Sequence, residues 1–120
     1  MDFQTLFELF FLLLVGHAVC DYALQNDFMA MAKNHTTELG KIYWKFVLPS
    51  HGLIHGGWVY FATGSIAFGV LETIIHCITD YLKCGNKISF NTDQWIHIAC
   101  KVLWVILVGF QFDFLDLLLF

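Results

Sequence analysis

The feature that most constrains this chain is a series of long apolar runs, each close to the length of a membrane-spanning helix. The runs lie at about residues 3–24, 42–62, 65–82 and 92–112, and a helix needs roughly 20 residues to cross the hydrocarbon core of a bilayer. Only 13% of the 120 residues are charged, whereas soluble domains carry about a quarter. The sequence therefore predicts an all-α, polytopic membrane protein, with about four transmembrane helices in an up-down bundle that forms a single domain over residues 1–120.

Lysine positions predict how this bundle is oriented. Lys33, Lys41 and Lys45 flank the first connection, and Lys83 and Lys87 flank the third, whereas the middle connection and both termini carry no lysine. By the positive-inside rule, the first and third connections face the cytoplasm and both termini face the periplasm. The net charge of −4 leaves no basic patch for nucleic acid. The lipid bilayer is the expected partner.

Each predicted helix carries one pair of ionisable residues spaced i, i+4. This spacing puts both side chains on one face of a helix, and chance predicts roughly one such pair in a chain of this composition. Ionisable residues inside membrane helices are costly and mark functional sites by default. The pairs are His17–Asp21, His51–His55, His76–Asp80 and Asp93–His97.

In an up-down bundle the four pairs lie at a similar depth, toward the cytoplasmic face. Antiparallel register sets Asp80 level with Asp93, and two carboxylates at one level in a low dielectric repel unless they share a proton or a cation. A cation held by imidazoles and carboxylates would remove this repulsion. The same register sets His76 level with His97, Glu72 with Lys101, Asp21 with His51, and His17 with His55.

The pattern predicts a metal site. Its imidazoles and carboxylates exceed the four ligands of a closed zinc site, so they suit either two metal ions or one catalytic ion with an outer layer of carboxylates. We expect one or two divalent ions, with Zn foremost and Mn or Fe as alternatives. Hydrogen bonding between helices is the simpler interpretation of any one pair taken alone. The candidate metal ligands are His17, Asp21, His51, His55, His76, Asp80, Asp93 and His97.

The candidate catalytic residues are Glu72, Lys101 and Asp93. Glu72 and Lys101 lie one turn deeper than the four pairs. They form either a simple ion pair within the membrane, or a general base and a contact for an oxyanion or a phosphate.

The same motifs resemble those of a known family. The stretch G-H-x-x-x-D-Y-x-L-Q-N-D-x-M-A-x-x-K (Gly16 to Lys33) is similar to the opening signature of a family of small bacterial and phage membrane proteins of unknown function. H-x-x-x-H (His51, His55), H-C-I-T-D-Y-L-K and D-Q-x-x-H then follow in order, over about residues 10–105. The chain also resembles the LexA-regulated, membrane-bound metal-dependent hydrolases. The resemblance implies a multi-pass protein of the bacterial (host) inner membrane and a metal-dependent hydrolase activity.

Three functions are compatible with the pattern, which does not decide whether the chain is an enzyme. The first is a membrane-embedded metal-dependent hydrolase that acts on a lipid-linked or phospholipid phosphoester near the cytoplasmic face, a substrate inferred from the depth of the site. The second is a metal or proton transporter, for which so short a chain needs to form a homo-oligomer. The third is a phage-encoded membrane module that acts on the host envelope or a host protein and holds a structural metal.

Overall fold

The structure, a computed structural model, describes residues 1–119, with side chains as far as residue 111. Within this range the chain is entirely helical between its turns, which confirms the expected all-α class. Four long helices pack in a ring, because α1 contacts α3 and α5 while α4 contacts the same two helices. The elements are α1 (Phe3–Ala18), a π-helical turn (Val19–Ala23), α2 (Asp27–Ala32), α3 (Glu38–Thr63), α4 (Ile66–Cys84) and α5 (Phe90–Leu119).

The helix ends differ from the predicted ones where polar caps lie outside the apolar runs. Helix α3 begins at Glu38 rather than near residue 42, because the Thr37 side chain accepts a hydrogen bond from the backbone N–H of Gly40 at 2.8 Å. Helix α5 likewise begins at Phe90, where the Ser89 hydroxyl accepts from the backbone N–H of Thr92 at 3.1 Å. At its other end α5 continues through the apolar tail to residue 119.

The first predicted helix ends in a π-helical turn. The backbone N–H of Leu24 donates to the carbonyl of Val19 at 2.9 Å, five residues back, so this turn is wider than an α-helical one. Two consecutive side chains, Cys20 and Asp21, are buried here. The wider turn thus directs Asp21 toward α3, where the Cys20 thiol also meets the carbonyl of Ile54.

Helices α3 and α4 are joined by a tight turn and pack closely along their length. Gly64 ends α3 in the left-handed conformation (φ 70°), which glycine adopts without strain, and the Ser65 side chain caps α4. Further along, a Cβ added at Gly69 would lie 2.8 Å from the carbonyl oxygen of Gly56. The absence of side chains at these two glycines therefore lets the two backbones approach.

The bundle is polar inside and apolar outside. Among the described residues, more polar and charged side chains than apolar ones are buried. Large apolar side chains instead face outward on every long helix, for example Phe46 and Phe61 of α3, which are 78% and 73% exposed. A small apolar cluster, made of Leu13, Val59, Cys100 and Trp104, fills the interior beyond the polar part. This distribution is the reverse of the usual one in soluble domains.

Two stretches of the described chain are long and apolar enough to cross a bilayer, judged by length and composition: Phe3–Ala23 and Phe90–Gln111. Neither α3 nor α4 reaches this criterion, because each carries imidazoles or charged groups in its middle. Composition alone thus supports two crossings.

Candidate metal centre

The residues predicted from the four spaced pairs lie together inside the bundle. His17 and Asp21 are 6% exposed, and the remaining ones are at most 2% exposed. Helix α1 and its π-helical turn contribute His17 and Asp21, α3 contributes two imidazoles, and α4 and α5 contribute the others. Four of the five level pairs expected from antiparallel register lie against each other, all except Asp80 and Asp93: for example, His51 Nε2 lies 3.3 Å from Asp21 Oδ1.

Three imidazoles converge on one oxygen of Asp21. The distances from Asp21 Oδ1 to Nε2 of His51, His55 and His76 are 3.3, 3.4 and 3.9 Å. Metal–ligand bonds of about 2.0–2.1 Å in a tetrahedron separate neighbouring ligand atoms by roughly 3.4 Å. The four ligand atoms all lie within 4.8 Å of one another. A small contraction would therefore bring them to the geometry of a tetrahedral metal site.

Hydrogen bonding between helices reaches His51 Nε2 but leaves other ring nitrogens of these imidazoles without a partner in the described structure. Neither ring nitrogen of His76, which is fully buried, has a hydrogen-bond partner among the described side chains, and Nε2 of His55 has none either. Buried polar atoms without partners are costly. Because one carboxylate oxygen cannot align with three N–H donors at once, a cation bound at the unprotonated nitrogens fits this donor set better than hydrogen bonds do.

The five imidazoles form one packed cluster. The rings of His55 and His76 stack with their centroids 3.6 Å apart, and those of His76 and His97 are 4.2 Å apart. The His17 ring lies 5.4 Å from that of His55. A second set of three possible ligands, Glu72, His76 and His97, shares His76 with the set around Asp21.

Asp80 differs from expectation because lysines, rather than imidazoles, are its nearest partners. The Lys33 ammonium lies 2.5 Å from Asp80 Oδ2, and Lys83 pairs with the other oxygen. Lys33, which flanks the first connection, is only 3% exposed, since α2 brings it over the end of the bundle. Lys83 also lies 3.7 Å from Asp93. The cation expected between Asp80 and Asp93 is thus supplied by a lysine.

Glu72 and Lys101 form a buried ion pair, the simpler of the two expected arrangements. Lys101 binds one oxygen of the Glu72 carboxylate, and the indole N–H of Trp104 donates to the other at 2.6 Å. Sequence reasoning missed the role of Trp104, which is an ordinary member of an apolar run. Both oxygens of Glu72 therefore have partners already, which makes Glu72 a poor general base in this arrangement.

Gln94 lies inside the D-Q-x-x-H motif, between the predicted ligands Asp93 and His97, and motif spacing gave it no role. Its amide nitrogen donates to Asp21 Oδ2 at 2.9 Å and to Asp93 Oδ2 at 3.1 Å. Its amide oxygen accepts from the Tyr22 hydroxyl at 2.7 Å and lies 3.2 Å from His17 Nε2. Gln94 thus links the π-helical turn to α5 and holds Asp21 with Oδ1 toward the three imidazoles.

Charge pairing leaves Asp21 apart from the other buried carboxylates. Glu72 pairs with Lys101, and Asp80 and Asp93 both lie near Lys83. Asp21 has no lysine partner among the described side chains; its neighbours are imidazoles and Gln94. Among the side chains that the structure describes, four carboxylates and two lysines are buried, and Lys83, 21% exposed, lies at the edge of this interior as a third lysine. With neutral imidazoles, one negative charge is left over, and it lies at Asp21.

The comparisons with known proteins identify a family and no activity. The profile of a family described as a protein of unknown function (DUF3307) matches residues 9–117. Neither the curated proteins nor the solved structures give a match. The matched range covers the whole helical bundle apart from the first residues of α1 and the end of α5, and it includes every residue of the buried cluster. The chain therefore belongs to the DUF3307 family of proteins of unknown function.

Proposed function

We propose that this chain is a membrane-embedded metalloprotein, and that Asp21, His51, His55 and His76 bind a divalent transition metal, with Zn²⁺ foremost and Mn²⁺ or Fe²⁺ as alternatives. The observation that carries the proposal is the convergence of three imidazole nitrogens on an Asp21 oxygen that has no lysine partner. Imidazole and carboxylate ligands suit these metals. Three further residues would lie around the ion without binding it directly: His17, Asp93 and His97.

We further propose that all four long helices cross the bilayer. The support comes from the outer surface, because α3 and α4 expose large apolar side chains although their polar residues lower their hydropathy. Phe46, Leu53 and Phe61 of α3 and Ile66 and Ile78 of α4 are each more than half exposed. Soluble monomers rarely expose contiguous apolar surface of this extent. A lipid environment would cover it, while the polar residues remain inside the bundle.

The reaction we propose is hydrolysis of a phosphoester on a lipid-linked or phospholipid substrate at the cytoplasmic headgroup level. A divalent ion would replace the one surplus negative charge at Asp21 by one surplus positive charge, which favours an anionic substrate. Bound there, the ion would supply Lewis-acid activation of water. We assign Asp93 as the proton acceptor, because its Oδ1 accepts no hydrogen bond among the described side chains and its nearest ionisable neighbour there is His97, at 3.3 Å, rather than a lysine. Gln94 holds Asp93 and Asp21 in place.

Hydrolysis is better supported than transport because the polar interior is closed on one side. Beyond the ion pair of Glu72 and Lys101, the interior is filled by Leu13, Val59 and Trp104, each of which is at most 2% exposed. An ion pathway needs polar groups or water along its whole length. The buried cluster lies instead near the end of the bundle where α2 and the α4–α5 connection meet.

The test is metal analysis by inductively coupled plasma mass spectrometry on detergent-purified protein that has been loaded with Zn²⁺ and freed of excess ion. We expect about one bound ion per chain in the wild type and almost none in Asp21→Asn, since one carboxylate ligand is lost at nearly unchanged volume. Asp2→Asn is the matched control, because Asp2 is an exposed cap of α1 and should leave the metal content unchanged.

Activity is measured on the same samples with vesicles that contain phospholipid or a lipid-linked diphosphate. The expected result is release of a phosphorylated or dephosphorylated headgroup by the wild type and by Asp2→Asn, and loss of this release in Asp21→Asn. Absence of metal from folded wild-type protein would sink the whole proposal. Metal without hydrolysis of any tested lipid phosphoester would leave a structural metal, as in the membrane-module alternative.

A further inference from the structure

A second set of possible ligand atoms lies beside the set formed by Asp21, His51, His55 and His76. Its atoms belong to Glu72, His76 and His97, and they also lie within 4.8 Å of one another. Because His76 belongs to both sets, two ions would bind together only if the His76 ring released its proton and bridged them, with one ion at each ring nitrogen. Enzymes that cleave phosphoesters commonly use two metal ions. The two sets differ, however, in what already neutralises their carboxylates.

The carboxylate of the second set, Glu72, is already neutralised by a cation of the chain itself. The Lys101 ammonium binds one oxygen of Glu72, the Trp104 indole donates to the other at 2.6 Å, and all three residues are at most 2% exposed. A divalent ion at Glu72 would have to displace the ammonium. Lys101 would then be a buried charge without a partner beside a second cation, which is strongly unfavourable.

We infer that Lys101 holds the place of a second metal ion, so that the centre binds a single ion at Asp21 and carries a latent second site at Glu72, His76 and His97. This inference rests on the proposed metal site at Asp21. It assigns Lys101 a role in setting the metal stoichiometry, rather than a contact to substrate. The chemical class of ligand at the latent site is a divalent transition metal, because two imidazoles and a carboxylate form its donor set.

The experiment measures metal stoichiometry by mass spectrometry and calorimetric titration, with Zn²⁺ alone as the probe. Lys101→Met removes the ammonium at similar length and leaves the oxygen of Glu72 that Lys101 bound free, so we expect the stoichiometry to rise from about one ion per chain to about two. The matched control is Glu72→Gln/Lys101→Met, in which the latent carboxylate is gone as well. Replacing a buried ion pair by neutral groups is often tolerated, and this double variant should stay at about one ion.

Several outcomes overturn the inference. A folded Lys101→Met protein that still binds about one ion would show that Lys101 does not exclude a second one. Two ions in the double variant would show that Glu72 is not a ligand of the second site. If Lys101→Met does not fold, the titration of the wild type tests the inference. Saturable binding of a second ion by the wild type contradicts it directly. If neither the wild type nor the variant binds metal, the proposed function itself fails. The failure of the proposed function is thereby distinguished from the failure of the inference about Lys101.

Discussion

At the scale of single residues, hydrogen bonding decides which oxygen of Asp21 faces the imidazoles. Gln94 binds Oδ2 at 2.9 Å and leaves Oδ1 toward His51 and His55. Such an outer contact orients a metal ligand without touching the ion. The same amide binds Asp93, which in turn lies 3.3 Å from His97. Gln94 is therefore the residue outside the ligand set on which metal affinity should depend most.

We expect Gln94→Ala to weaken Zn²⁺ binding by about 10- to 100-fold while the stoichiometry stays the same, because residues that orient metal ligands typically contribute that much. Competition with a chelator of known affinity measures the change. Gln4→Ala is the matched control, since Gln4 is exposed and binds only Glu8 at 3.1 Å in the described structure. Equal affinities for the two variants would contradict the orienting role of Gln94.

At the scale of helices, two features shape the centre: the π-helical turn that directs Asp21 inward, and the close packing of α3 on α4. The packing depends on Gly56, where an added Cβ would overlap the Thr73 hydroxyl and approach the carbonyl of Gly69. The neighbouring Gly57 has no atom within 4 Å of an added Cβ. Adjacent glycines on one helix thus differ sharply in the space around them.

We expect Gly56→Ala to destabilise the bundle by about 1–3 kcal/mol through overpacking, and to weaken metal binding because α3 would shift away from His76. Gly57→Ala should leave both properties nearly unchanged, since its methyl group would point into open space. Thermal unfolding in detergent, with and without Zn²⁺, measures the difference. A midpoint for Gly56→Ala that matches that of Gly57→Ala would argue against tight contact between the two helices.

At the scale of the whole molecule, the apolar outer surface of α3 and α4 is the basis of the proposed four crossings. Four crossings with an up-down order would place both termini and the α3–α4 turn on one side. Lys33 and Lys83 then lie on the other side, beneath α2 and next to the cluster. Two of these helices, α1 and α5, are apolar enough to cross by composition. The other two would cross because their polar side chains face one another.

Single cysteines at Gln4, Ile66 and Lys87, introduced after replacement of the four native cysteines, test this topology. All three positions are exposed. In sealed vesicles we expect a membrane-impermeant thiol reagent to label positions 4 and 66 from one side and position 87 from the opposite side. Labelling of positions 66 and 87 from the same side would rule out four crossings and leave α1 and α5 as the crossing helices.

Much of this arrangement follows from periodicity, and therefore from the sequence by itself. Helical spacing puts His76 and Asp80 on one face, and antiparallel order sets His76 level with His97 and Glu72 level with Lys101. The structure has the latter two pairs in contact. The all-α class and the inward position of the ionisable residues have the same physical cause. Long apolar runs that form helices bury their few polar side chains by turning them toward neighbouring helices.

The tertiary structure alone decided which carboxylate is left for a cation. Lysine side chains are long, so their partners depend on how far apart the helices lie and on where a connection folds. Sequence periodicity determines neither of these. Lys33 reaches Asp80 only because α2 folds over the bundle, and Gln94 reaches Asp21 only because the π-helical turn faces α5. Sequence spacing treats the four carboxylates of the cluster alike, whereas the folded interior neutralises three of them with lysines and leaves Asp21 to the imidazoles.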